Sequence, residues 1–161
     1  PQGNAYLRFL VEEVKPFIDS KYSTYTDRAH TWVMGSSCGG LISSYALCRY
    51  PDIFGGAACL STHCTLVFPD PTKQDSAMMA AYRMYLKHYI PANSAKLYMD
   101  NGDQTLDANY LMAQALINDM MYESGWDSTH YMYRFFPGTA HCEDDWRARL
   151  DIPLLFLLAE E

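Results

Sequence analysis

His30-Thr31-Trp32-Val33-Met34-Gly35-Ser36-Ser37-Cys38-Gly39-Gly40 is the stretch that decides the fold. A short apolar run ends in Gly-Ser-Ser-Cys-Gly, and a helical pattern begins at once. G-x-S-x-G between a strand and a helix is the pattern of a nucleophile elbow. Ser37 would sit on a tight, strained turn that lifts its hydroxyl above the sheet. Side chains at Gly35 and Gly39 are expected to collide where strand and helix pass closely. The N–H of Cys38, at the helix start, would point toward an oxyanion developing on a substrate. A plain Gly-Ser turn between two elements is the alternative.

A serine hydroxyl needs a histidine to take its proton and a carboxylate to orient that histidine. The order expected after an elbow is serine, acid, histidine. His141 fits, in Phe135-Phe136-Pro137-Gly138-Thr139-Ala140-His141, because it lies in a loop just past an apolar run. The acid belongs to Asp100-Asn101-Gly102-Asp103-Gln104-Thr105-Leu106-Asp107, which follows the run Lys96–Met99. Asp107 ranks before Asp103, although a helix cap and a turn former are their ordinary roles. Asp100 belongs to the strand end. Ser36, His63 and Cys64 are expected to line the substrate site. His30, His88 and His130 lie away from it. Glu143, Asp144 and Asp145 read as acids complementing the dipole of a helix start.

The rest of the chain alternates. Strands are expected at 30–34, 56–61, 96–99 and 130–136. Helices are expected at about 39–50, 75–89 and 107–124, and from Glu143 onward with a bend or restart at Pro153. A loop rich in Pro and Asp covers Phe68–Thr72. An amino-terminal helix is capped by Asn4, carries the stripe Leu7, Leu10, Val11, Val14 and Ile18, and is interrupted at Pro16. Strands alternating with long helices imply a parallel sheet with right-handed crossovers. The expectation is one α/β domain, 1–161, with about four strands and helices on both faces.

The chain has 161 residues and is 49% hydrophobic, enough for one core. No run approaches the roughly 18 apolar residues of a membrane span. The net charge of −7 makes nucleic acid an unsuitable partner. The five cysteines, 38, 48, 59, 64 and 142, are odd in number and form no C-x-x-C pair, so no disulfide framework is expected. Cys48 and Cys59 read as small core hydrophobes. Cys38, Cys64 and Cys142, with His63 and His141, fall at one end of the sheet, where a metal site and a disulfide between two of the loop cysteines are alternatives to coincidence. No metal or other cofactor is predicted, and the compartment is left open with a leaning to the cytoplasm.

Val33–Ser43, then Tyr50-Pro51-Asp52-Ile53-Phe54-Gly55-Gly56-Ala57-Ala58, and Phe136–His141 followed by Trp146 and Leu150, resemble the putative esterase family of enterochelin-esterase-like, feruloyl-esterase-like and esterase D-like enzymes. The resemblance spans nearly the whole chain. It implies an α/β-hydrolase fold and hydrolysis of small carboxylic esters without a cofactor. Ser37 is implied as nucleophile and His141 as base. The acid segment matches more loosely.

Two positions depart from the family pattern: Cys38 where Met or another bulky residue is usual, and Cys142 where Ser or Ala is common. The larger departure is length. About 29 residues precede the elbow, where the family places several strands and the loop that gives a second oxyanion donor. The chain is therefore expected to begin halfway through the fold. Losing one such donor typically costs on the order of a hundredfold in rate. The outer edge of Thr31–Met34 would lack a neighbour, and self-association as a two-fold dimer is the expectation. Three function classes follow: a serine esterase, a catalytically weak hydrolase-like ligand-binding domain, or a metal-binding protein using the His/Cys cluster.

Overall fold

The computed structural model describes residues 2–66 and 77–159. Helices α1 (Gln2–Arg8) and α2 (Lys15–Lys21) are joined without a break by a π-helical stretch, Phe9–Val14. The sequence suggested an interruption at Pro16, but the helical run continues through it. Pro16 sits in the first turn of α2, and the widened π turn just before it accommodates a ring that lacks an N–H. Asn4 is not a cap. Its side-chain oxygen accepts a hydrogen bond from the Tyr45 hydroxyl at 2.5 Å. Of the expected stripe, Leu7 is buried and Leu10 and Val11 pack on the core, but Ile18 is exposed.

Four strands follow: β1 (Trp32–Ser36), β2 (Gly56–Leu60), β3 (Lys96–Asn101) and β4 (Tyr131–Phe135). They form one parallel sheet in the order β1-β2-β3-β4. Between them run α3 (Cys38–Arg49), α4 (Ala77–Tyr89) and α5 (Leu111–Glu123). Strands added in one direction by right-handed crossovers leave all three helices on one face. That face holds the main core, where Ala57, Cys59, Leu97 and Met99 of the sheet meet Leu47, Leu86 and Ile117 of the helices. Alternate residues Ala58, Leu60 and Tyr98 point to the other face. Phe156 and Leu157 cover them there.

That second face is covered after β4 by α6 (Glu143–Ala148) and α7 (Asp151–Leu158). Pro153 falls in the first turn of α7, where no helical donor is needed. Cys48, Cys59 and Cys64 are buried in the main core, and burial pushes the Cys48 and Cys64 thiols up to about 12. The Phe68–Thr72 loop lies outside the described residues, as do the first two positions of the expected helix 75–89. No helix among the described residues is long and apolar enough to cross a membrane.

Candidate active site

Ser37 stands between β1 and α3 with φ 56° and ψ −119°. A non-glycine residue held there stores about 1–3 kcal/mol of backbone strain. The strain is held by specific bonds. The Ser37 N–H donates to the Leu60 carbonyl at 2.9 Å, and its own carbonyl accepts from Gly40 at 3.0 Å and His63 at 3.3 Å. A Cβ on Gly35 would lie 2.6 Å from the Gly39 backbone, so Gly35 must be glycine. Gly39 differs from the expectation. A Cβ there meets nothing, and the crowded glycine is Gly40, which faces Thr62. Cys38 opens α3, and first-turn N–H groups of a helix have no carbonyl within it to bond.

His141 lies in the loop between β4 and α6, and Asp107 in a 3-10 turn, Thr105–Asn109, after β3. His141 Nδ1 is 2.6 Å from Asp107 Oδ1. Asp107 is fully buried, and its other oxygen accepts from the Gly102 N–H and the Ser61 hydroxyl, each at 2.6 Å. The loop that carries His141 is latched to the β3 turn. The Asp103 and Gln104 N–H groups donate to the Thr139 carbonyl at 3.2 and 3.0 Å. That approach needs Gly102, where a Cβ would strike Thr139. The His141 N–H donates to Thr105 Oγ1 at 2.9 Å.

Of the competing acids, Asp103 accepts from the Gly138 N–H at 2.8 Å and acts as a loop tie. Asp145 accepts from the Ala140 N–H at 2.5 Å, and Asp144 pairs with Arg147 at the surface. All three acids of Glu143–Asp145 stand in the first turn of α6, as expected from the helix dipole.

The ring of His141 stands between two aromatic edges, Trp146 at 5.0 Å and Tyr110 at 5.7 Å between centroids. Tyr110 also bonds His63 Nδ1 through its hydroxyl at 2.7 Å. His63 thus connects the Ser37 carbonyl to Tyr110, and Tyr110 to His141. Partial burial, helped by the nearby His141, holds the His63 imidazole below its ordinary pKa. Ser36 ends β1 opposite Leu60. Cys64 does not line the site as expected, because its side chain belongs to the main core. Among the described residues no three His, Cys, Asp or Glu side chains converge to hold a metal ion. The expected His/Cys cluster is not found among them, and the Cys64 thiol is buried in the main core.

Cys38 is exposed and lines an apolar hollow of about 330 Å³ with Leu41, Tyr45, Tyr82 and Tyr85. A larger hollow, about 1060 Å³, lies at the amino ends of the strands beside Thr31, Gly55 and Lys96. Chemistry in open α/β sheets gathers at the carboxyl ends, so the smaller hollow is the relevant one. Cys38→Ser and Cys38→Met are expected to fold and to keep measurable ester turnover, since the Cys38 thiol is exposed at the rim of the hollow and a backbone N–H survives either substitution. Turnover of short and aromatic esters by both folded variants checks this. Loss of all activity in both would show that the thiol participates.

The family model described as "Putative esterase" matches residues 1–157. The chain belongs to the putative esterase family. A Bacillus subtilis (strain 168) relative, "Uncharacterized protein YjcH", is 26% identical over 106 residues, 64% of this chain and 43% of its own. Among solved structures, a ferulic acid esterase superposes with a TM-score of 0.71 at 22% identity, over 94% of this chain and 60% of its own. The ferric enterobactin esterase of Salmonella typhimurium gives 0.72 at 19% identity, over 92% of this chain and 35% of its own. The α/β-hydrolase fold of these esterases is the fold of this chain. The chain spans less than two thirds of the length of each of the three.

Sequence reasoning missed Ser61, Tyr110 and Arg149. Ser61 had a signal, since it directly follows a strand and lies beside His63 in Leu60-Ser61-Thr62-His63. Arg149 had none. Arg147 and Arg149 look alike in sequence, yet the Arg149 side chain is 3% exposed and that of Arg147 is 79% exposed.

Proposed function

We propose that this chain carries the nucleophile, base and acid of a serine carboxylic ester hydrolase. Ser37 Oγ attacks the ester carbonyl while His141 Nε2 takes its proton. His141 returns the proton to the leaving alcohol, and an acyl group remains on Ser37. Water, deprotonated by the same histidine, then releases the acid. Asp107 orients the imidazole and stabilises its charged form. The Cys38 N–H is one donor to the oxyanion. The observation that carries the reading is the 2.6 Å bond between His141 and the buried Asp107, in a chain whose Ser37 occupies a strained elbow. The substrates are small esters, and the tyrosine-lined hollow beside Cys38 suits an aromatic or apolar group.

A panel of nitrophenyl, feruloyl and acetylated-sugar esters, run on wild type and Ser37→Ala, tests the proposal. Turnover that disappears in the variant supports it. Binding of such esters without turnover would favour a hydrolase-like ligand-binding domain instead.

Self-association is part of the same reading. Strand β1 is an edge of the sheet among the described residues, and Met34 on it is exposed. An unpaired apolar edge is a template for pairing. A second subunit could supply walls and a second oxyanion donor. Sedimentation at micromolar concentration should show a dimer, and a folded, active monomer would remove this element.

A further inference from the structure

Asp107 orients His141, and Ser61 in turn determines how Asp107 can act. Ser61 follows β2 at φ 39° and is fully buried. Three groups surround its hydroxyl oxygen: Asp107 Oδ2 at 2.6 Å, Trp146 Nε1 at 2.9 Å and Arg149 Nη2 at 2.9 Å. Indole and guanidinium N–H groups only donate. They occupy the two lone pairs of the oxygen, so its single proton has one acceptor left, and that is Asp107. The direction of the hydroxyl is set by chemistry, whatever its torsional freedom.

The consequence passes to the histidine. Asp107 Oδ2 receives both the Ser61 hydroxyl and the Gly102 N–H. A proton placed on that oxygen would have no acceptor. Oδ2 is thereby left only to accept, and Oδ1 of the carboxylate accepts from His141 Nδ1 at 2.6 Å. The imidazole proton is then on Nδ1, and the lone pair is on Nε2, the atom that must receive the serine proton. Arg149 cannot swing away to release this arrangement. Its guanidinium is paired with buried Asp100 at 2.9 Å, donates to Thr139 Oγ1 at 3.0 Å and lies over the Phe136 ring at 4.7 Å.

We infer that Ser61 is a positioning residue whose hydroxyl, aimed by Arg149 and Trp146, fixes His141 in the Nδ1–H tautomer. The inference rests on the reading of Ser37, His141 and Asp107 as a triad. A serine that merely satisfied its own burial would leave the tautomer of His141 unaffected.

The test combines nitrogen NMR of ¹⁵N-histidine-labelled full chain with ester kinetics. In wild type, the neutral form of His141 should show a protonated Nδ1 and an unprotonated Nε2. In Ser61→Ala the Nε2 resonance should move toward the value of a tautomer mixture. The kcat should fall about ten- to a hundredfold, the effect of one hydrogen bond to a charged group, with KM within about threefold. Ser61→Gly, which the positive φ tolerates, removes the same hydroxyl if the alanine variant does not fold. An unchanged His141 tautomer with unchanged kcat overturns the inference. If wild type turns over no ester at all, the triad reading fails, and the NMR comparison still decides the role of Ser61.

Discussion

Ser37→Ala is expected to lower ester turnover by about a thousandfold or more while leaving the fold intact. The serine oxygen is the only atom in the proposed site that forms a bond to the substrate, so no neighbour replaces it. His141→Ala should cost nearly as much, because the groups of such a site act as a unit and their losses do not add. Asp107→Asn should cost less but clearly, since an amide in that position can present its NH₂ to Nδ1 and favour the wrong tautomer. Asp103→Asn should do little, because Asp103 ties the loop at Gly138 and does not touch His141. Steady-state kinetics on one activated ester orders the four. Wild-type turnover in Ser37→Ala would refute the mechanism, and damage confined to Asp103→Asn would reassign the acid.

Arg149→Leu is expected to destabilise the chain by about 3–5 kcal/mol, the usual result of removing one partner of a buried ion pair. Asp100 is fully buried, and its remaining partners are the Tyr98 hydroxyl at 2.9 Å and the Ser61 N–H at 2.9 Å. Neither neutralises its charge. Burial already pushes the Asp100 carboxyl above its ordinary range, and the Arg149 charge opposes that push. Without Arg149 the folded state holds the Asp100 proton more tightly than the unfolded chain does. A raised carboxyl pKa in the folded state adds stability as pH falls. The loss should therefore be larger at pH 8 than at pH 5. Asp100→Asn in the same chain should recover part of it. Urea denaturation at the two pH values measures this, and a loss below about 1 kcal/mol at pH 8 would mean that the pair is not structurally important.

The sequence was informative wherever local chemistry and periodicity were enough. Four short apolar runs separated by long helical patterns can only stack as parallel strands, and all four lie within two residues of their expected positions. Gly35 and Ser37 announce a strained turn because few other residues tolerate it. The order of Ser37, Asp107 and His141 along the chain was readable for the same reason. Asp107 could not be separated from Asp103 in sequence, since both are acids just beyond one strand. Only the path of the loop after β4 decides which carboxylate meets His141, and that path depends on Thr139 resting against Gly102. Cys64 was misplaced because a residue next to His63 in sequence can still turn into the core. Ser61, Tyr110 and Arg149 act through contacts between segments roughly 40 to 90 residues apart, and no local pattern records such contacts.

On the proposed mechanism Ser37 is an activated nucleophile. The most direct measurement of this is labelling of the wild-type chain with a fluorophosphonate, followed by mass spectrometry of the modified peptide. One adduct is expected, on Ser37, lost in Ser37→Ala and strongly slowed in His141→Ala. A chain that stays unlabelled while folded, or one labelled equally well in His141→Ala, would contradict the mechanism.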